Sequence, residues 1–112
     1  MISVAQVKTL FPISLDEEQI LPHLKRANSD FNDVGFGENE DDEIEAIGCK
    51  SIYYLAPLLW VAMSAKAREY AESIETFRDL DGFQSYWLKR SEGIRDKYQK
   101  KTIGGEIRWM DI

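Results

Sequence analysis

The chain has 112 residues with 14 Lys or Arg against 20 Asp or Glu, a formal charge of -6, and is 44% hydrophobic. That is one ordinary domain with a single core: too apolar for a disordered chain and too short for a catalytic cleft between two domains. One cysteine, Cys49, excludes both an internal disulfide framework and a Cys-rich zinc site, and points to a reducing, intracellular setting.

The first 14 residues carry only Lys8 as a charged side chain, and they lack the basic start and long apolar run of a signal peptide. The longest charge-free stretch, Ser51 to Ala65, is 15 residues and contains Pro57. A bilayer needs about 20, so no membrane association is expected.

A short helix opens at Ser3 and places Val4, Val7 and Leu10 on one face, until Phe11-Pro12 stops it. Ser14 to Glu17 fits a capping box for the next helix, which offers Leu15, Ile20, Leu24, Ala27 and Phe31 to a core; Pro22 should kink it or mark a later start. Residues 32–39 are Gly, Asn and Asp rich, the chemistry of a mobile loop.

Around Asp41 a central helix begins, carrying Ile44, Ile47, Ile52, Leu55, Leu59 and Ala62 and continuing towards Ser73. Its middle, Ile52 to Met63, is apolar on nearly every side and so must be covered on every side, with a bend expected at Pro57. Asp81 followed by Gln84 caps a last helix to about Lys101, buried through Phe83, Trp87, Ile94 and Tyr98 and weakened by Gly93. Gly104-Gly105 then breaks it and frees Glu106 to Ile112, a strand-like segment that must pair with something. The fold expected is mainly α, a small helical bundle of three principal helices plus a short N-terminal helix. Residues 1–103 form the helical domain and residues 104–112 an extended C-terminal tail.

Charge is unevenly shared. Residues 1–56 hold four bases against eleven acids, six of the acids between Glu38 and Glu45, while residues 57–112 hold ten bases against nine acids. The acidic run reads as a solvated loop and helix start.

Chemistry-bearing patterns are weak. Asp30, Asn32, Glu38 and Asp41 fall at positions 1, 3, 9 and 12 of a calcium-type loop with Gly35 at position 6. However, Val34 stands where an oxygen ligand belongs, and Asp41 is too short for the terminal bidentate clamp, so a polar surface loop is the reading. His23 and Cys49 are the single residues of their kinds, and nothing in their spacing joins them or supplies a third group to orient a ring. Lys89, Arg90, Arg95, Lys97, Lys100 and Lys101 against Glu92 and Asp96 make a basic stretch that could touch phosphate. The overall charge opposes a polyanion, and no stacking platform or reading-helix signature accompanies the bases. No enzymatic activity, metal or cofactor is expected.

What remains is interaction. Tyr53, Tyr54, Trp60 and Met63 on the central helix, of residue types enriched at protein contacts, are candidates to face another subunit. Ile107, Trp109 and Met110 of the tail are further candidates, costly to leave in water.

The layout resembles the small head-tail connector (adaptor, or head completion) proteins of tailed bacteriophages and prophages. The residues that carry it are a short helical start ending in Val7-Lys8-Thr9-Leu10-Phe11-Pro12, a helix like Leu15 to Asp30, a variable loop, a Leu- and aromatic-rich helix like Ile44 to Ala67, and a tail at residues 103–112. The helix from Asp81 to Lys101 is longer and more basic than the pattern. The resemblance implies a structural protein in a homo-oligomeric, dodecameric ring that joins the portal vertex to the tail and lines the DNA channel. Its partners would be portal and tail-side proteins, with incidental contact to DNA, and its place the virion, assembled in the host cytoplasm. The loop and helix start from Phe31 to Glu45 and the tail would order on partners. The alternatives are a small cytosolic regulatory or antitoxin-like protein that folds against one partner, and a nucleic-acid binder acting through Lys89 to Lys101.

Overall fold

A computed structural model describes residues 1–13 and 15–110, with backbone alone at 99–110. Among the described residues the chain is a bundle of five helices with no strand: α1 (Val4–Lys8), α2 (Glu17–Asp30), α3 (Glu40–Ala65), α4 (Ala71–Phe77) and α5 (Leu80–Met110). The 26-residue α3 is the axis against which α1, α2 and α5 all pack, while α4 rests mainly on α5.

The helix starts follow from local chemistry. Ser3 and Gln6 form a reciprocal capping box at α1, the Gln6 amide donating to Ser3 Oγ at 3.3 Å and the Ser3 amide to Gln6 Oε1 at 2.8 Å. At α2 the cap is Asp16, whose amide donates to Gln19 Oε1 at 3.1 Å; Ser14, expected in that role, lies outside the described residues. Asn39 rather than Asp41 caps α3, accepting from the Asp42 amide at 3.2 Å. Four acids in the first turn then face the positive end of the helix. Asp79 rather than Asp81 serves α5, accepting from the Gly82 amide at 2.8 Å. Both helices therefore begin earlier than expected, at residues whose short side chains reach back to the first free amides.

Two further departures have physical causes. The central helix stops at Ala65 instead of running to Ser73, and the chain turns so that Tyr70 stacks on Phe11 at 6.3 Å and donates its hydroxyl to the Pro12 carbonyl at 3.2 Å. The α4 helix is the result. At the other end, α5 continues through Gly104-Gly105 to Met110, where an extended tail was expected from residue 104. Two glycines cost a helix about 1 kcal/mol each, but extending an existing helix avoids the nucleation cost.

The turn between α4 and α5 is tight. Arg78 has φ +68° and ψ -47°, with the Asp79 amide bonded to the Phe77 carbonyl at 2.8 Å across it, the geometry of a γ-turn that L-residues seldom adopt. A Cβ on Gly82 would stand 2.4 Å from that same carbonyl oxygen, so the turn requires glycine there.

The core is continuous from end to end. Val4, Val7, Ile20, Leu24, Ala27 and Phe31 meet Ile47, Ile52, Leu55, Leu59 and Met63 of α3, and Phe83, Trp87 and Tyr98 of α5 close the other side. The loop from Asn32 to Asn39 is anchored rather than free: Phe36 is buried, 6.1 Å from Phe31 and edge-on to Tyr98 at 4.9 Å. Where α3 crosses α5 the side chains are small, and Ser91 donates to the Ala46 carbonyl at 2.7 Å.

Asn28 holds the chain start to α2, accepting from the Ile2 amide at 2.9 Å and donating to the Ile2 carbonyl at 3.2 Å. Asn28→Ala leaves both backbone groups without their partner in a buried setting, so a loss of about 1–3 kcal/mol is expected. Urea titration of the two proteins measures it, with a lower midpoint and an unchanged slope.

Candidate interaction surface

Among the described residues, the long axis helix presents one face that the other helices cover only in part. Lys50, Tyr53, Tyr54, Pro57, Leu58 and Val61 recur at spacings of three and four along α3 and so lie on one side of it. Leu58 is 44% exposed and Val61 70% exposed, and Pro57 between the tyrosines and these two is also exposed. Large apolar side chains left in water on the most apolar helix of the chain form a patch rather than scattered exceptions. Sequence periodicity missed Leu58 and Val61 because a helix apolar on nearly every side gives no phase from which to tell its uncovered face.

The expected interface residues divide. Tyr53 and Tyr54 are half-buried and border this face, with ring centroids 5.4 Å apart. The Tyr54 hydroxyl donates to an Asp30 carboxylate oxygen, and burial followed by that hydrogen bond pushes its pKa up to about 12. Trp60 is half-buried and turned inward, 5.6 Å from Phe83. Met63, expected to face a partner, is instead buried: at 1% exposed it is part of the chain's own core and does not reach a second subunit. The side chains of Ile107, Trp109 and Met110 lie outside the described residues.

Cations gather at the upper edge of the patch. The Arg26 guanidinium lies 4.1 Å from the Tyr54 ring centroid, and Lys50 Nζ lies 5.5 Å from the same ring and 5.6 Å from that of Tyr53. By contrast, several bases of the stretch from Lys89 to Lys101 are engaged internally. Arg90 holds Glu45 Oε1 through Nη2 at 2.6 Å and Nε at 3.2 Å, and Lys97 pairs with Asp42 at 3.1 Å. Arg95 donates to the Asp30 carbonyl at 3.2 Å and lies over Phe31. The side chains of Lys100 and Lys101 lie outside the described residues.

The other expected chemistry is dispersed. Cys49 is completely buried in α3, and burial pushes its thiol up to about 12, so it is neither a thiolate at neutral pH nor within reach of a substrate. His23 is half-buried on α2. In the calcium-like loop, Asp30 accepts from Tyr54 and Asn39 caps α3, and no group of three or more His, Cys, Asp or Glu converges among the described residues. Between α4 and α5 a cleft of about 510 Å³ is lined by Thr76, Phe77, Gly82, Ser85, Tyr86 and Lys89. It is open, with the Tyr86 ring tilted against Phe77 at 5.1 Å and the Arg90 guanidinium 5.6 Å from the Tyr86 centroid.

By length and composition α3 is also apolar enough to cross a membrane, but more than half of its most apolar window is covered by the rest of the bundle. Its exposed part includes Pro57, Leu58 and Val61 of the patch just described. The chain matches no family model, no curated protein and no solved structure.

Proposed function

We propose that this chain is a structural assembly module of the kind represented by phage head-tail connectors, working by adhesion to copies of itself and to portal-side and tail-side partners rather than by catalysis. The observation that carries the reading is the exposed apolar face of α3 at Pro57, Leu58 and Val61. Fully burying a Leu or Val side chain is worth about 1.5–3 kcal/mol, and the chain's own fold leaves most of Val61 and a little under half of Leu58 in water. The order of elements supports the same reading: a short helix before Pro12, a second helix, a loop, and a long apolar helix. In such a ring the patch would be an intersubunit contact and the loop from Asn32 to Asn39 a peripheral one.

Two measurements test this. Genes for portal or capsid proteins are expected next to the one that encodes this chain, and a neighbourhood of unrelated regulatory genes overturns the connector reading in favour of a small regulatory protein. Light scattering across a concentration series is expected to give a mass that rises above the monomer. Leu58→Asp combined with Val61→Asp should reduce that mass sharply while costing only about 1–2 kcal/mol of stability, from two poorer helix formers near the C-terminal end of α3 and the partly covered Leu58. A much larger loss of stability would place both side chains in the chain's own core.

A further inference from the structure

We propose that the cationic edge of the α3 patch, Arg26 and Lys50 around Tyr54, receives the acidic start of α3 from a second copy of this chain in a head-to-tail contact. This rests on the assembly reading above and names its two surfaces.

Arg26 and Lys50 converge on one aromatic ring, at 4.1 and 5.5 Å from its centroid. Two like charges gathered at one ring make a locally positive edge that favours an anion. Among the described residues neither forms an ion pair, although Arg90, Lys97 and the terminal amino group each do. Asp30, an acid beside the same ring, accepts the Tyr54 hydroxyl. The arrangement therefore has cations, an aromatic face and, one turn further along α3, the exposed Pro57, Leu58 and Val61. Its cationic edge fits an acidic segment.

The chain carries such a segment. Glu38, Glu40 and Asp41 are exposed at the start of α3, and among the described residues Glu38 and Asp41 form no ion pair. They cannot serve Lys50 of their own chain. Nine helical steps separate Asp41 from Lys50, roughly 14 Å at 1.5 Å per residue. In a head-to-tail contact each copy gives its acidic segment to one neighbour and its cationic edge to another, so assembly closes into a ring if the rotation per copy divides a full turn and otherwise grows as a filament; a two-fold dimer that exchanged both contacts would stop at two copies, which sedimentation distinguishes. The overall charge of -6 opposes association at long range, so the contact depends on local complementarity.

The test is a charge exchange on the full chain, read by light scattering and sedimentation. Arg26→Glu with Lys50→Glu makes one variant and Glu38→Lys with Asp41→Lys the other, with neutral versions (R26Q with K50Q, E38Q with D41N) guarding against misfolding and circular dichroism confirming the helical fold. Each reversed variant alone is expected to weaken self-association about tenfold or more. Mixing the two should restore assembly, since each then meets the reversed partner surface. If either reversed variant assembles like the parent, or the mixture fails to recover, the acidic segment is not the occupant. Loss of assembly in the Leu58→Asp, Val61→Asp variant would in that case still uphold the assembly reading. A parent chain that stays monomeric at every concentration overturns this contact directly.

Discussion

Replacing Phe83 by alanine is expected to lower the stability of the fold by about 3–5 kcal/mol, the range for emptying an aromatic site in a packed core. Phe83 is fully buried and its ring is the meeting point of four others: Phe11 and Trp60 at 5.6 Å, Phe77 at 5.1 Å and Trp87 at 6.1 Å. Those partners come from the segment after α1, from α3, from α4 and from α5 itself. The void left by truncation is bordered by rings that cannot bend to fill it, and the preferred edge-to-face geometry of several pairs is lost together. A domain of this size has about 5–15 kcal/mol in total, so the variant sits near the edge of folding. A melting temperature lower by on the order of 10–20 °C is the readout. Phe83→Leu, which keeps much of the volume, should recover a good part of it. A small shift for alanine would mean that the aromatic cluster is loosely packed.

The second large effect is alkaline. Cys49 is buried with its pKa raised from 9.0 to about 12, and desolvation is the first cause, with Glu45 adding to it and Arg90 opposing. In the unfolded chain the thiol ionises near its ordinary value, so below pH 9 both states hold the proton and the group contributes no pH dependence. Above it the unfolded state releases a proton that the folded state keeps. Stability is then lost by about 1.4 kcal/mol per pH unit until the folded thiol also ionises. Tyr54, raised from 10.0 to about 12, adds a loss of the same sign that begins about one unit higher. Chemical denaturation between pH 8 and pH 11 should show this decline, and Cys49→Ala should remove the earlier part of it while leaving the part that starts near pH 10. A thiol reagent at neutral pH should label Cys49 only as fast as the protein opens.

The buried stripes were readable because periodicity reports directly on burial: Ile20, Leu24 and Ala27 on one helix, Ile47, Ile52, Leu55 and Leu59 on the next, Phe83, Trp87 and Tyr98 on the last. The fold class follows from them. What escaped the sequence depends on contacts between distant positions. Ala65 to Ile74 contains no glycine or proline and reads as uninterrupted helix, yet the chain turns there because Tyr70 reaches Phe11 and Pro12 across 58 residues. The caps were displaced by two residues at each of three helices, since several Asp, Asn and Ser side chains compete within each helix start and only the path of the chain selects one. Met63 and Leu58 show the same limit at the candidate surface: both stand on the apolar stretch, and which one faces outward is set by where α1, α2 and α5 come to rest.

The unequal anchoring of α4 and α3 sets how the folded molecule breathes. No residue of α4 is buried, and it hangs between Tyr70 and the strained turn at Arg78, whereas α3 has ten buried residues and touches three other helices. Amide hydrogens of α4 can therefore exchange with solvent through local opening that leaves the remaining helices in place, while those in the middle of α3 exchange only when the whole chain unfolds. Protease nicking should follow the same order, beginning in the stretch from Lys66 to Arg78, where Lys66, Arg68 and Arg78 are all exposed.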